Sequence, residues 1–321
     1  MVPLDCLSKL FVFNNEELPP ELRAQRVLNK ARIPAMCDYI IKNPTSYVFS
    51  ALTASVDGDI LFTPLSKEHP TLGTITIDFS SKLLINDGQH RRAAIEAALK
   101  INPDLKYEHI PVVLYHDLGL KRAQQMFSDL NKFALRPTHS LNIMYDNRDA
   151  DSKLSKEIIA NVPVFHGLVD TEHTSISNRS NQLFTLSGIH RGTKALFSGL
   201  TWDYEKKREV GISFWTSVSD YMQDWKDVYE GKKKAYVIRQ DSLSSLSITI
   251  KGLGTVGNEI LRQAPDTVNT ALSRLTTIDW HKNGPLWKEG IVVDGSVVSS
   301  RATQKMMESI LRNATRGAAN G

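Results

Sequence analysis

The chain has 321 residues, of which 41% are hydrophobic and 23% charged, with a formal net charge of +4. The length predicts two domains or one large domain with an extension, and the apolar content suffices for buried cores. Two cysteines (Cys6 and Cys37), charges at Asp5, Lys9, Glu16 and Glu17, and no run near ~20 apolar residues argue against a disulfide framework, a signal peptide and a membrane span, so a cytoplasmic protein is expected.

In chain order, residues 19–29 read as a helix that opens on Pro19 and Pro20, where a missing N–H costs nothing. Residues 33–42 read as a second helix, with Ile33, Cys37, Tyr39 and Ile40 on its buried side. Ser46–Leu52 is expected to be a strand, and Asp57-Gly58, between Val56 and Ile60, signals a hairpin. Ile75, Ile77 and Phe79 alternate with polar residues as in a half-buried strand. A short buried strand at 83–85 leads into a helix at 88–99, and a strand follows at 110–115 with Pro111 near its start. The helix at 119–134 carries an apolar stripe (Leu120, Ala123, Phe127, Leu130, Ala134) beside a polar one (Gln124, Ser128, Asn131).

From about residue 140 the pattern turns helical. Helices are expected at 140–161, 184–198, 212–228, 242–262, 265–276 and 300–313. The predicted architecture is therefore α+β, with a mixed-sheet domain at 1–138 and a mostly α-helical domain at 139–321.

The segment Asp87-Gly88-Gln89-His90-Arg91-Arg92 is the most informative. A strand ends, the chain turns, and a helix opens on an imidazole and two guanidinium groups. The first turn of a helix exposes unpaired N–H groups and the positive end of the macrodipole, a natural seat for an anion. Asp87 is expected to cap the helix and Gly88 to allow the turn. Arg92 stands four before Glu96 and can pair with it. Arg91 instead heads the stripe of Ile95 and Leu99, so it is the expected phosphate ligand, with His90 as a second ligand or an acid/base group. The bland alternative is a capped helix with a solvated basic turn. Cations at this end of a helix oppose its dipole, which favours an anionic ligand.

These residues resemble the DGQHR-domain proteins, a group similar to the ParB/sulfiredoxin superfamily. Glu21–Asn29, Tyr47–Ser55, Ile85–Ala98 and Gln124–Asn131 together resemble the DndB family of DNA sulfur modification (phosphorothioation) proteins. Arg136-Pro137, Asp146–Asp149 and Ser180–Ser187 extend the likeness into the helical half. The resemblance implies a ParB/sulfiredoxin-like first domain in a DNA-binding transcriptional regulator of a modification gene cluster. It implies DNA, at the promoter of its own cluster, and other modification proteins as partners. Carried over by residue, the nucleotide loop would be Asp87, Gly88, Gln89, His90 and Arg91, with Asn131 as a site partner. The competing reading is a nucleotide hydrolase that uses a nucleoside triphosphate with magnesium. His90 would then be its acid/base, and Asp87 or Asp129 would hold the metal. Gln89 stands where sulfiredoxins carry a catalytic cysteine, so sulfinic-acid reduction is not expected.

Three further patterns stand beside this one. Gly252-Leu-Gly-Thr-Val-Gly257 matches the dinucleotide fingerprint, with Asp279 downstream. Its flanks read as helices, so close helix packing through glycine is expected instead. The acidic residues of the second half show no metal-ligand spacing; Asp146, Asp149 and Asp151 could be imagined as a magnesium cluster, but such local acids read as a solvated helix end. Basic residues recur in the helical half, and Arg179, Arg191, Lys194, Lys232, Lys233 and Lys234 are the expected contacts to DNA phosphates. His190, the run at 206–208 and Arg301, Lys305, Arg312 and Arg316 add to this charge. The five tryptophans are expected in a core or an interface. A homodimer is the prior for a DNA regulator.

Overall fold

The computed structural model describes residues 1–11, 28–78, 80–81, 83–116, 120–132, 137–288 and 290–316. The expected helix at 19–29, apart from its last two residues, lies outside them, as does Phe79. The chain divides into two compact units, Met1–Leu135 and Arg136–Gly321, and the architecture is α+β.

The first unit opens with β1 (Val2–Pro3) and α1 (Leu7–Leu10). α2 (Ile33–Lys42) has proline in its first turn, where the ring costs no hydrogen bond, and buries Cys37 and Ile40. A turn at 44–46 closes it, so the strand expected at Ser46 begins only at Leu52. β2 (Leu52–Val56) is buried along its whole length. It runs antiparallel to β5 (Leu83–Asp87) and parallel to β7 (Val112–His116), the centre of a three-stranded sheet. Its small and apolar residues on both faces suit that covered position.

With both edges of β2 occupied, Asp57-Gly58 cannot close a hairpin onto Ile60. This corrects the expectation. β3 (Ile60–Pro64) pairs instead with β4 (Gly73–Ile77), and most of that ribbon is exposed. The strand expected at 110–115 is split at Pro111 into β6 (His109–Ile110), which pairs with β1, and β7. α3 (Gln89–Ile101) buries Ala94, Ile95 and Ala98, and α4 (Leu120–Lys132) follows β7.

The second unit is helical. The segment expected as one helix at 140–161 is two, α5 (His139–Tyr145) and α6 (Ala150–Asn161). The Asp146 carboxylate accepts the N–H groups of Arg148 and Asp149, and Asp149 caps α6 through the N–H of Ser152. These local bonds compete with helix continuation and break it. The short parallel strands β8 (Val169–Asp170) and β9 (Phe184–Thr185) precede α7 (Leu186–Leu196). Next come α8 (Tyr204–Tyr221), α9 (Gln223–Tyr229) and α10 (Ala235–Asp241), the last unforeseen in the sequence. α11 (Ser247–Gln263), α12 (Val268–Ser273), α13 (Pro285–Lys288), the β10–β11 ribbon (Val292–Val293 with Ser296–Val297) and α14 (Arg301–Arg316) complete it.

Trp215, Trp225 and Trp287 are fully buried here, among Phe165, Phe184 and Phe214. Trp280 stacks on Trp287, and Trp202 packs against the same core. The tryptophans are thus core residues.

Gly252, Gly254 and Gly257 fall inside α11, so the dinucleotide pattern is a helix-packing device, as expected. A Cβ on Gly254 would stand 2.0 Å from the carbonyl oxygen of Gly192, so α7 and α11 touch backbone to backbone. A Cβ on Gly257 would meet the Phe214 ring at 2.5 Å.

Candidate functional site

The turn from β5 into α3 is built by two irregularities. Thr53 pairs with Asp87 and Ala54 with Ile85, so Asn86 is the extra residue of a β-bulge. Its buried amide exchanges hydrogen bonds with Ser55: Nδ2 donates to Oγ at 2.8 Å, and Oδ1 accepts from it at 3.1 Å. Gly88 follows at φ 108°, where a side chain would be strained and would also meet Leu52 at 2.4 Å.

Gly88, not Asp87, is the N-cap of α3, and among the described residues no side chain caps this helix. The reason is that the Asp87 carboxylate is already engaged. It accepts from Nη2 of Arg91 at 2.5 Å. Nη1 of Arg91 donates to the carbonyls of Ser50 and Ala51 at 2.6 and 2.7 Å, and to Ser50 Oγ at 2.5 Å. The Arg91 side chain is only 13% exposed. It therefore acts as a clamp between the start of α3 and the segment entering β2. Arg92 pairs with Glu96 at 2.8 Å, as its spacing predicts.

His90 Nε2 accepts the backbone N–H of Asn29 at 2.9 Å, which places the ring proton on Nδ1 in the neutral form. Gln89 is 5% exposed, and its Nε2 has no hydrogen-bond partner among the described residues. A buried amide donor without an acceptor costs roughly 1–3 kcal/mol, so this group favours a ligand that brings one. Asn131 stands on α4, but its side chain lies outside the described residues. Asp129 accepts from Gln125 at 2.7 Å. Among the described residues, no group of three or more His, Cys, Asp or Glu side chains is placed to hold a metal ion.

The basic residues singled out in the helical unit divide in two. Lys232 pairs with Glu230 at 2.5 Å, Lys233 with Asp227 at 2.8 Å, and Lys194 with Asp151 at 3.2 Å. The carboxylate of Asp227 beside it raises the pKa of the Lys233 ammonium, and the partner's own pKa is lowered. Arg179 and Lys234 are exposed and form no ion pair among the described residues. Arg191 is exposed too and, among the described residues, reaches only neutral oxygens, Ser187 O at 3.1 Å and Ser247 Oγ at 3.5 Å.

His190 is buried rather than presented to solvent. Its Nδ1 lies 3.0 Å from Ser155 Oγ, whose own proton goes to the Asp151 carbonyl. Burial, then the nearby Lys194 charge, lowers its pKa. Arg208 and Arg312 are held by Glu157 and Glu259.

Sequence reasoning missed Ser50 and Ala51 as the partners that occupy Arg91, and it missed Lys251. The latter directly precedes Gly252, and the glycines at helical spacing were the signal that this helix packs face-on.

A family model described as DndB, DNA-sulfur modification-associated, matches residues 1–316. Searches of curated proteins and of solved structures return no match.

Proposed function

The chain belongs to the DndB family, associated with DNA sulfur modification, and from that premise we propose that it is a DNA-binding regulator of a phosphorothioation gene cluster. The observation that carries this reading is the state of the cations in the helical unit. Among the described residues, Arg179, Arg191 and Lys234 are exposed without a carboxylate partner, whereas Lys194, Lys232 and Lys233 are largely balanced internally. Unbalanced surface cations are what a phosphate backbone neutralises on binding.

The turn at 87–91 has a second part in the same proposal. In this reading a nucleotide phosphate would sit at the first turn of α3, where the first backbone N–H groups lack helical acceptors. The unpaired Gln89 amide supports this placement. Arg91 would contribute its charge from within its clamp, and an incoming phosphate competes with Asp87 for it.

The test is a titration of labelled duplexes with the purified protein. One duplex comes from upstream of its own gene cluster, and the other is a shuffled sequence of equal length. A regulator prefers the first, and the preference persists as salt rises while total affinity falls. Equal affinity for both duplexes at every salt concentration, or no binding, removes the proposal.

A further inference from the structure

We propose that the groove lined by α7, α11 and α14 is the track that holds the sugar-phosphate backbone of DNA. The inference rests on the DNA-binding reading above and names its surface.

The groove follows from the glycines. Because α7 and α11 meet at Gly192 and Gly254, the residues that precede Gly192 and Gly252, Arg191 and Lys251, line one depression. α14 closes the other side, and a Cβ on Gly252 would already meet Leu311 at 2.8 Å. The depression has two compartments, of about 600 and 570 Å³, which share Arg191, Lys251 and Glu308. Arg301 and Lys305 line the first, and Lys194 the second.

Among the described residues, Arg191, Lys251, Arg301 and Lys305 form no ion pair. Two carboxylates line the groove. Glu259 is neutralised by a two-pronged bond from Arg312, at 2.7 and 2.6 Å. Glu308 accepts from the neutral Gln304 amide at 3.0 Å and from Thr255 Oγ1 at 3.4 Å, and forms no ion pair among the described residues. The cationic excess is therefore real and local. α11 begins at Ser247 in the first compartment, and among the described residues no side chain caps it, so its first N–H groups add to the positive field.

Length separates a strand from a single nucleotide. From Ser247 to Asn258, both in the lining, α11 advances roughly 16 Å at ~1.5 Å per residue. One DNA strand presents a phosphate every ~3.4 Å of helix axis and at wider intervals along its own winding path, so more than one falls along this distance. A row of cations on that scale matches a backbone.

Fluorescence anisotropy with the full chain tests the assignment. The probes are a duplex from upstream of its gene cluster, an unrelated duplex and free ATP. The variants are Lys251→Gln/Lys305→Gln in the groove, Lys67→Gln/Lys288→Gln as an equal charge loss elsewhere, and Glu308→Gln. Thermal melts establish that each is folded. The groove pair should weaken both duplexes roughly tenfold or more and flatten the salt slope by about 2, the control should stay within about twofold, and Glu308→Gln should bind more tightly. If the wild type binds DNA and the groove pair behaves like the control, the track is wrong while the regulator reading stands. If the groove pair loses ATP but keeps DNA, the groove is a nucleotide site and the proposal is overturned. If the wild type binds neither duplex, both readings fall.

Discussion

The turn at 87–91 and the groove around Lys251 carry positive charge in opposite ways. The turn concentrates His90, Arg91 and Arg92 in three consecutive positions, yet each has a protein partner: Asn29 for His90, Asp87 with Ser50 and Ala51 for Arg91, and Glu96 for Arg92. The groove draws its cations from three helices far apart in sequence, and those on α11 and α14 form no ion pair among the described residues. Charge density along a chain is thus a poor guide to charge available to a ligand. The carboxylate or carbonyl within hydrogen-bond reach decides that availability, and it can come from any part of the fold.

The largest expected effect attacks the groove through its floor. Gly254→Val would push a branched side chain into the Gly192 backbone, and neither helix can yield without unpacking Trp215, which lies against Gly192. Overpacking of this kind typically costs about 1–3 kcal/mol and more when only backbone is there to move. A urea melt followed by tryptophan fluorescence should show the second unit destabilised by at least that much. An unchanged midpoint would mean that the glycines do not set the helix separation.

A smaller effect separates a clamp from a waiting phosphate ligand at the turn. Arg91→Lys keeps the charge but loses the planar fork that reaches Ser50, Ala51 and Asp87 together. Hydrogen bonds from a charged donor are worth about 1.5–3 kcal/mol, and the side chain is largely buried, so a loss of roughly 2 kcal/mol is expected without any ligand. Should the ligand-free melt be unaffected while nucleotide affinity falls, the clamp is incidental and Arg91 exists for the anion.

The same contrast explains what could be read in the sequence. α2, α3 and the break between a mixed first half and a helical second half were legible, because apolar spacing, a proline near the start of α2 and Gly88 are local signals. The fate of Asp57-Gly58 was not. A hairpin signal says only that the chain turns, and whether Val56 pairs onward depends on β5 and β7 already flanking β2. The Asp87 cap failed for the same kind of reason. A carboxylate before a helix caps it unless a stronger partner arrives, and Arg91, one turn later, is that partner. The split of 140–161 was partly visible in the aspartates of 146–151, whose side chains bond the backbone around them. Of the groove cations, Arg191, Lys194, Arg301 and Lys305 were legible one by one and Lys251 was not, and their common surface was hidden until the glycine contacts of α11 were known.

The smallest effect concerns the end of the groove where Lys194 meets His190. Within the fold, burial and then the Lys194 charge depress the His190 pKa, against weaker opposing fields from Asp149 and Asp151. The folded unit therefore binds this proton less readily than the unfolded chain. The stability tied to the neutral ring is complete above the unfolded value, about 6.5, and drains away as pH falls below it. His190→Gln supplies an amide that can still donate to Ser155 but does not titrate. The wild-type melting temperature should fall more steeply than the variant's between about pH 7 and pH 5, and the two should run parallel above that range. Parallel curves throughout would mean that His190 can be protonated in place. The ring would then be a cation beside Lys194, and the count of charges available at that end of the groove would change with pH.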